Sequence, residues 1–162
     1  MFTVQGIIYV YQLTCCSEAM SDISLEDIRE LVDTSRKNNQ QKNITGCLVY
    51  RSGYFVQLIE GDKTDVKELF HNIDDDIRHE NVEVLNESPC QERFFSEWTM
   101  GFTDLSQEQN VEKSKFNIEE LNTLTSPNPS KFFTTKVFWY NVKQLLENTG
   151  FYIEKVQHNS LN

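Results

Sequence analysis

Gln57 interrupts the otherwise apolar run Phe55-Val56-Gln57-Leu58-Ile59. An amide shielded from water in a strand must find hydrogen-bond partners, and leaving them unmade costs ~1–3 kcal/mol. It carries both donor and acceptor on one group. Tyr9 lies mid-strand, where alternation puts it on one face with Ile7. The partners of Gln57 are expected on that face. Asn38 and Asn39 fall where the first helix should end, beside the strand that starts at Ile44. Each residue alone has an ordinary explanation: a satisfied core tyrosine, a helix-end asparagine, an edge-strand glutamine.

Other reactive types form no site. His71 and His158 read as exposed or helix-face residues. Asp74-Asp75-Asp76 is a helix-end acidic run without the spacing of a hard-cation loop. Cys15, Cys16, Cys47 and Cys90 lack paired metal-ligand spacing, and adjacent Cys15 and Cys16 are poorly placed to bridge. They are expected as reduced thiols in a cytosolic protein, with Cys47 a small core residue.

The chain has 162 residues, enough for one domain with a small appendage. Its net charge of -10 argues against a nucleic-acid partner and an anionic membrane surface. No apolar run approaches the roughly 20 residues of a membrane helix. The start, MFTVQGIIYVYQL, shows no basic leader. A cytoplasmic location is expected.

The elements that must position these residues follow from pattern. Phe2 to Tyr11 reads as a strand and Thr14 to Asp22 as a loop. Ser24, with Asp27 three residues on, caps a helix whose buried face is Leu25, Ile28, Leu31 and Val32. Ile44–Tyr50 and Tyr54–Glu60 form a hairpin around Arg51-Ser52-Gly53. A second helix carries Val66, Leu69, Phe70, Ile73 and Ile77. Val82 to Leu85 suggests a fourth strand, and Arg93 to Phe102 a fifth. The order β-α-β-β-α-β-β predicts an α+β, ferredoxin-like sandwich with both helices on one face. Beyond Leu105 a polar stretch, a short helix over Ile118–Leu124 and the breaker Ser126-Pro127-Asn128-Pro129 lead to an apolar helix, Lys131–Asn148. That helix must dock on something, so residues 104–162 read as a helical cap on a 1–103 domain.

Taken together, Ile7-Ile8-Tyr9, Asn38-Asn39 with Asn43-Ile44-Thr45-Gly46, Tyr54 to Gly61, Asp76-Ile77-Arg78-His79 and Trp98-Thr99-Met100 resemble the BLUF family, the sensors of blue light that use FAD. The resemblance covers about Phe2 to Phe102. It implies a non-covalently held flavin (FAD, with FMN or riboflavin as alternatives) between the two helices. It assigns the photoactive tyrosine to Tyr9 and the switching glutamine to Gln57. Asn39 and Asn38 match the asparagines at the flavin edge, Trp98 and Met100 the pair that exchanges places near it, and Arg78 and His79 an RH pair close by. A phenol of pKa about 10 can give excited flavin an electron and then a proton, after which Gln57 reorients without creating a charge.

Two features depart from the family. The stretch Leu13–Asp22 reads as a longer loop, and Asn72 stands where some relatives carry a basic residue. Tyr11 is a second tyrosine on the face of Tyr9.

The resemblance further implies a sensor rather than an enzyme. No output domain is expected after residue 162, so the signal should pass to a partner protein or through a homo-oligomer. Two other readings share the fold. An acylphosphatase-like hydrolase is prompted by Val4-Gln5-Gly6 but lacks the arginine expected downstream, and a flavin-free interaction module would be colourless.

Overall fold

The computed structural model describes residues 2–4, 7–106 and 133–147. The N-terminus holds two strands rather than one. β1 (Phe2–Val4) pairs antiparallel with the start of β2 (Ile7–Ala19), Val4 opposite Ile7. β2 then runs on through Ala19, so most of the expected Thr14–Asp22 loop is strand. Its polar residues misled the reading because β2 is covered on both faces: Leu13 and Cys15 are buried on one side, Thr14 and Cys16 on the other. A strand of that kind need not alternate.

α1 (Leu25–Gln41) starts as expected, with Ser24 accepting from the Asp27 amide and the Asp27 carboxylate accepting from Ser24 in return. Ile28, Leu31 and Val32 are its buried face, while Leu25 is exposed. β3 (Thr45–Arg51) and β4 (Tyr54–Gly61) form the hairpin. Ser52 and Gly53 both have positive φ, 49° and 87°, which is the backbone a two-residue turn between twisted strands requires.

α2 (Lys63–Asp74) is capped by Asp62 and packs through Val66, with Leu69 and Phe70 half-buried. It ends before Ile77, which is 81% exposed instead of continuing the stripe. β5 (His79–Cys90) is longer than Val82–Leu85; its pairing with β2 shifts register twice. Pro89 fits there because β5 lies at the sheet edge.

The fifth strand is only β6 (Gly101–Asp104). Arg93–Met100 is irregular, so neither Trp98 nor Met100 is a strand residue. The main sheet has the order β5–β2–β4–β3–β6, antiparallel except for the parallel β3–β6 pair. This is the ferredoxin-like arrangement, extended by one strand.

Alternation along the strands builds two cores. Leu13, Cys15, Leu48, Phe55 and Ile59 face α1 and α2. Cys16, Cys47, Val49, Val56 and Leu58 face the other way, onto α3 (Phe133–Glu147), which contributes Phe138, Val142 and Leu145. The apolar C-terminal helix thus docks on the sheet face opposite the first two helices. The expected Ile118–Leu124 helix and the Pro-rich breaker lie outside the described residues. Among the described residues no helix is long and apolar enough to cross a membrane.

Candidate functional site

The helix-side core is incomplete where α1 and α2 diverge, and a cleft of about 250 Å³ opens there. Leu31, Ile44, Leu69 and Ile73 give it apolar walls, and Gln57 and Met100 also line it. Asn38, Asn39, Arg78 and His79 complete the polar lining. Six of the eight residues singled out from the sequence therefore meet in one cavity.

Gln57 sits mid-strand in β4 and is 7% exposed. Among the described residues its amide nitrogen donates only to the Met100 thioether, 3.8 Å away. A sulfur is a weak acceptor, so a buried amide is left with most of its hydrogen-bonding capacity directed at the cleft.

Asn39 is buried in the last turn of α1. Its Nδ2 donates to the Thr99 carbonyl at 2.8 Å, and its own carbonyl accepts from the Ile44 amide at 2.9 Å. It thus ties the end of α1 to the start of β3 and to the segment before β6. Arg36 adds a bond from Nε to the Met100 carbonyl at 2.9 Å. Asn38 is exposed at the rim.

Arg78 forks onto the Asp76 carboxylate, with Nε–Oδ1 at 2.9 Å and Nη2–Oδ2 at 2.6 Å. The bond to Arg78 holds the Asp76 carboxyl below its usual range, and Asp76 raises Arg78 in turn. His79 is buried, with Nδ1 2.8 Å from Ser17 Oγ and its ring 4.9 Å from Phe55. Burial pushes its pKa down, so it stands in the site as neutral imidazole.

Two assignments are not brought to the cleft. Tyr9 is half-buried in the β1–β2 hairpin opposite Phe2. It lies six positions before Cys15, the β2 residue that pairs with Gln57; at 3.3 Å per residue that is about 20 Å along the strand. Tyr11 is also remote, opposite Gly61, with Lys63 and Lys67 over its ring at 5.2 and 5.7 Å. Its pKa is raised by burial and by Glu87.

Trp98 belongs to the other core, where its ring stacks on Phe95 at 5.2 Å and 18°. Trp98 and Met100 therefore sit on opposite sides of the sheet. Met100 is the one that lines the cleft.

The sequence reading missed the residues that hold this frame. Glu60 is fully buried on the α3 side. Its carboxylate accepts from Gln12 Nε2 at 2.9 Å, Thr45 Oγ1 at 3.2 Å and the amides of Phe94 and Phe95 at 2.9 and 2.6 Å. Arg93 donates to the Thr45 hydroxyl and to the Glu60 and Asn43 carbonyls. Glu60 and Gln12 carried the same signal as Gln57, a polar residue inside an apolar strand. Cys15 went unmarked because its segment was read as loop.

Among the described residues no group of three or more His, Cys, Asp or Glu could hold a metal ion. The Gln5-Gly6 part of the hydrolase-like segment lies outside them.

The family model for BLUF, sensors of blue-light using FAD, matches residues 10–101. The match begins one position after Tyr9. Photoactivated adenylate cyclase subunit beta of Euglena gracilis is 39% identical over 89 residues, 54% of this chain and 10% of that protein. The chain thus spans about a tenth of that relative's length. A bacterial light-regulated adenylyl cyclase is similar in structure, with TM-score 0.60 and 33% identity over 72% of this chain and 33% of that one. The dark-state structure of BlrB, a BLUF protein, gives TM-score 0.62 and 25% identity over 83% of this chain and 95% of that one.

Proposed function

The chain belongs to the BLUF family, the sensors of blue light using FAD, and we propose that its cleft between α1 and α2 holds the flavin ring against Gln57. One observation carries this reading: a buried glutamine, open to the cleft, whose amide nitrogen has, among the described residues, only a thioether for a partner. Such an amide favours a ligand edge that can both donate and accept.

A bound flavin supplies the absorption of blue light and, once excited, a strong oxidant. The protein's part is orientation. Asn39, locked to the Thr99 carbonyl, and Asn38 at the rim hold the ring edge, while Leu31, Ile44, Leu69 and Ile73 press on its faces. Arg78 is fixed by Asp76, and neutral His79 brings no charge toward Gln57. Turning Gln57 then changes its hydrogen bonds without moving net charge.

At about 250 Å³ the cleft is smaller than the ~300–1,000 Å³ of most ligand sites. It suits the ring alone, with the rest of the cofactor along the open rim. FAD is our reading; FMN and riboflavin share that ring.

We read residues 1–103 as the sensing unit and 104–162 as the extension through which the signal leaves. It acts on a partner protein or a second copy of the chain, in the cytoplasm and without catalysis by the sensing unit. The cyclases among its relatives motivate the idea of an effector, and α3 on the far face is the surface offered to it.

The test is to load the protein with FAD, FMN and riboflavin separately and record absorption before and after blue light. The expected result is a yellow protein with a small, reversible red shift. Gln57→Leu keeps the flavin but loses the shift. Failure to retain any of the three flavins, or a normal shift in Gln57→Leu, refutes this function.

A further inference from the structure

Gln57 has a neighbour on each side along the sheet. On the β3–β6 side is the Met100 thioether, to which its amide now donates. On the β2 side is Cys15, its directly paired residue. Both side chains belong to the core on the α1–α2 face, and directly opposed residues on one face hold their Cβ atoms ~4.5–5.5 Å apart.

The two sulfurs differ in what they offer. A thioether can only accept, whereas a thiol can also donate. Burial pushes the Cys15 thiol far above its ordinary pKa, with Cys16 adding to the effect. It therefore keeps its proton at any ordinary pH. The tyrosines of the first two strands are far from this point, as shown above.

We infer that Cys15 is the second hydrogen-bond partner of Gln57, and that the switch is an amide poised between two sulfurs. With its NH2 turned to Met100, as in this structure, Gln57 presents its carbonyl on the opposite side, where it accepts the Cys15 S–H. Turning the amide over sets NH2 against the thiol and breaks that bond. Cys15 is a positioning residue, acting on the ligand through Gln57. The inference rests on the flavin reading for its light dependence, but the sulfur pair itself can be tested without flavin.

The S–H stretching band of Cys15 is isolated by subtracting the infrared spectrum of Cys15→Ala. In flavin-free protein, Met100→Leu removes the acceptor that holds the amide in this orientation, so the Cys15 band should move to higher frequency than in the wild type. Gln57→Leu should take it to the frequency of an unbonded thiol. In flavin-loaded protein, blue light should raise the same band in the wild type and leave it unmoved in Gln57→Leu. The light-induced absorption shift should be lost in Cys15→Ala, recovered at least in part in Cys15→Ser, and kept in Tyr9→Phe.

A Cys15 band unchanged among wild type, Met100→Leu and Gln57→Leu overturns the inference. So does a loaded Cys15→Ala protein that shifts normally. A protein that takes up no flavin refutes the function proposed above, while the flavin-free comparison still decides the sulfur pair.

Discussion

Replacing Glu60 by glutamine changes one oxygen to NH2 and leaves the shape almost intact. The structure makes the cost calculable. Each carboxylate oxygen of Glu60 accepts two hydrogen bonds: Oε1 from Thr45 and the Phe95 amide, Oε2 from Gln12 and the Phe94 amide. Whichever oxygen becomes NH2, one backbone N–H, of Phe95 or Phe94, then faces a donor, while the Thr45 hydroxyl or the Gln12 amide can turn to accept. Hydrogen bonds to charged groups contribute ~1.5–3 kcal/mol each, so the lost bond removes about that much. Total stability of a domain is only ~5–15 kcal/mol. Urea unfolding of wild type and Glu60→Gln at pH 7 gives the difference directly. A loss below ~1 kcal/mol would refute the reasoning and mean that the Phe94–Phe95 segment finds other acceptors. The same variant should increase amide exchange at Phe94 and Phe95.

Three further outcomes follow from particular contacts. Gly101→Ala should be destabilising by at least ~1–3 kcal/mol, read as a lower melting temperature, because its Cβ would lie 2.4 Å from the Trp98 ring. His79 has a pKa depressed by burial, so its contribution to stability is full above the unfolded value near 6.5 and is lost as pH falls through the lower folded value. The wild type should therefore lose up to ~1.4 kcal/mol per pH unit below about pH 6.5 relative to His79→Gln; parallel pH curves for the two would refute this. Blue light should change amide exchange in residues 93–104 and 133–147 of the flavin-loaded protein, and identical exchange in dark and light would exclude α3 as the exit route.

Local signals predicted local structure. Ser24 and Asp27 announced the start of α1, and Ser52-Gly53 the hairpin turn, because both motifs satisfy backbone groups a few residues away. Gln57 and Asn39 stood out by type and place, and the cleft brings them together. What stayed hidden depends on distant partners. Arg93–Met100 is as apolar as a strand, yet its backbone is held by the Glu60 carboxylate, Asn39, Arg36 and the Gly46 amide. No periodicity reveals such bonds. β2 was cut short for a related reason: Thr14, Ser17 and Gln12 look like loop residues until His79, Glu60 and α3 are packed against them. That truncation drew attention to Tyr9 and away from Cys15.

The anchoring of α3 has a mechanical meaning. At its first turn the Thr14 hydroxyl donates to the Thr134 carbonyl, and the Thr134 hydroxyl bonds Ser88 and Asn86. At its last turn Arg51 Nη1 donates to the carbonyls of Leu145 and Leu146, at 2.8 and 2.7 Å. From Thr134 to Leu145 the helix rises ~16 Å at 1.5 Å per residue. The sheet from β5 across to β3 measures three strand spacings, ~14 Å at 4.7–4.9 Å each. The helix is therefore a bar that crosses four strands of the sheet and is bolted at both ends. One residue inserted between the bolts would turn one end by ~100° against the other, so both could not stay fastened. Lifting the helix from the sheet therefore means breaking bonds at both ends.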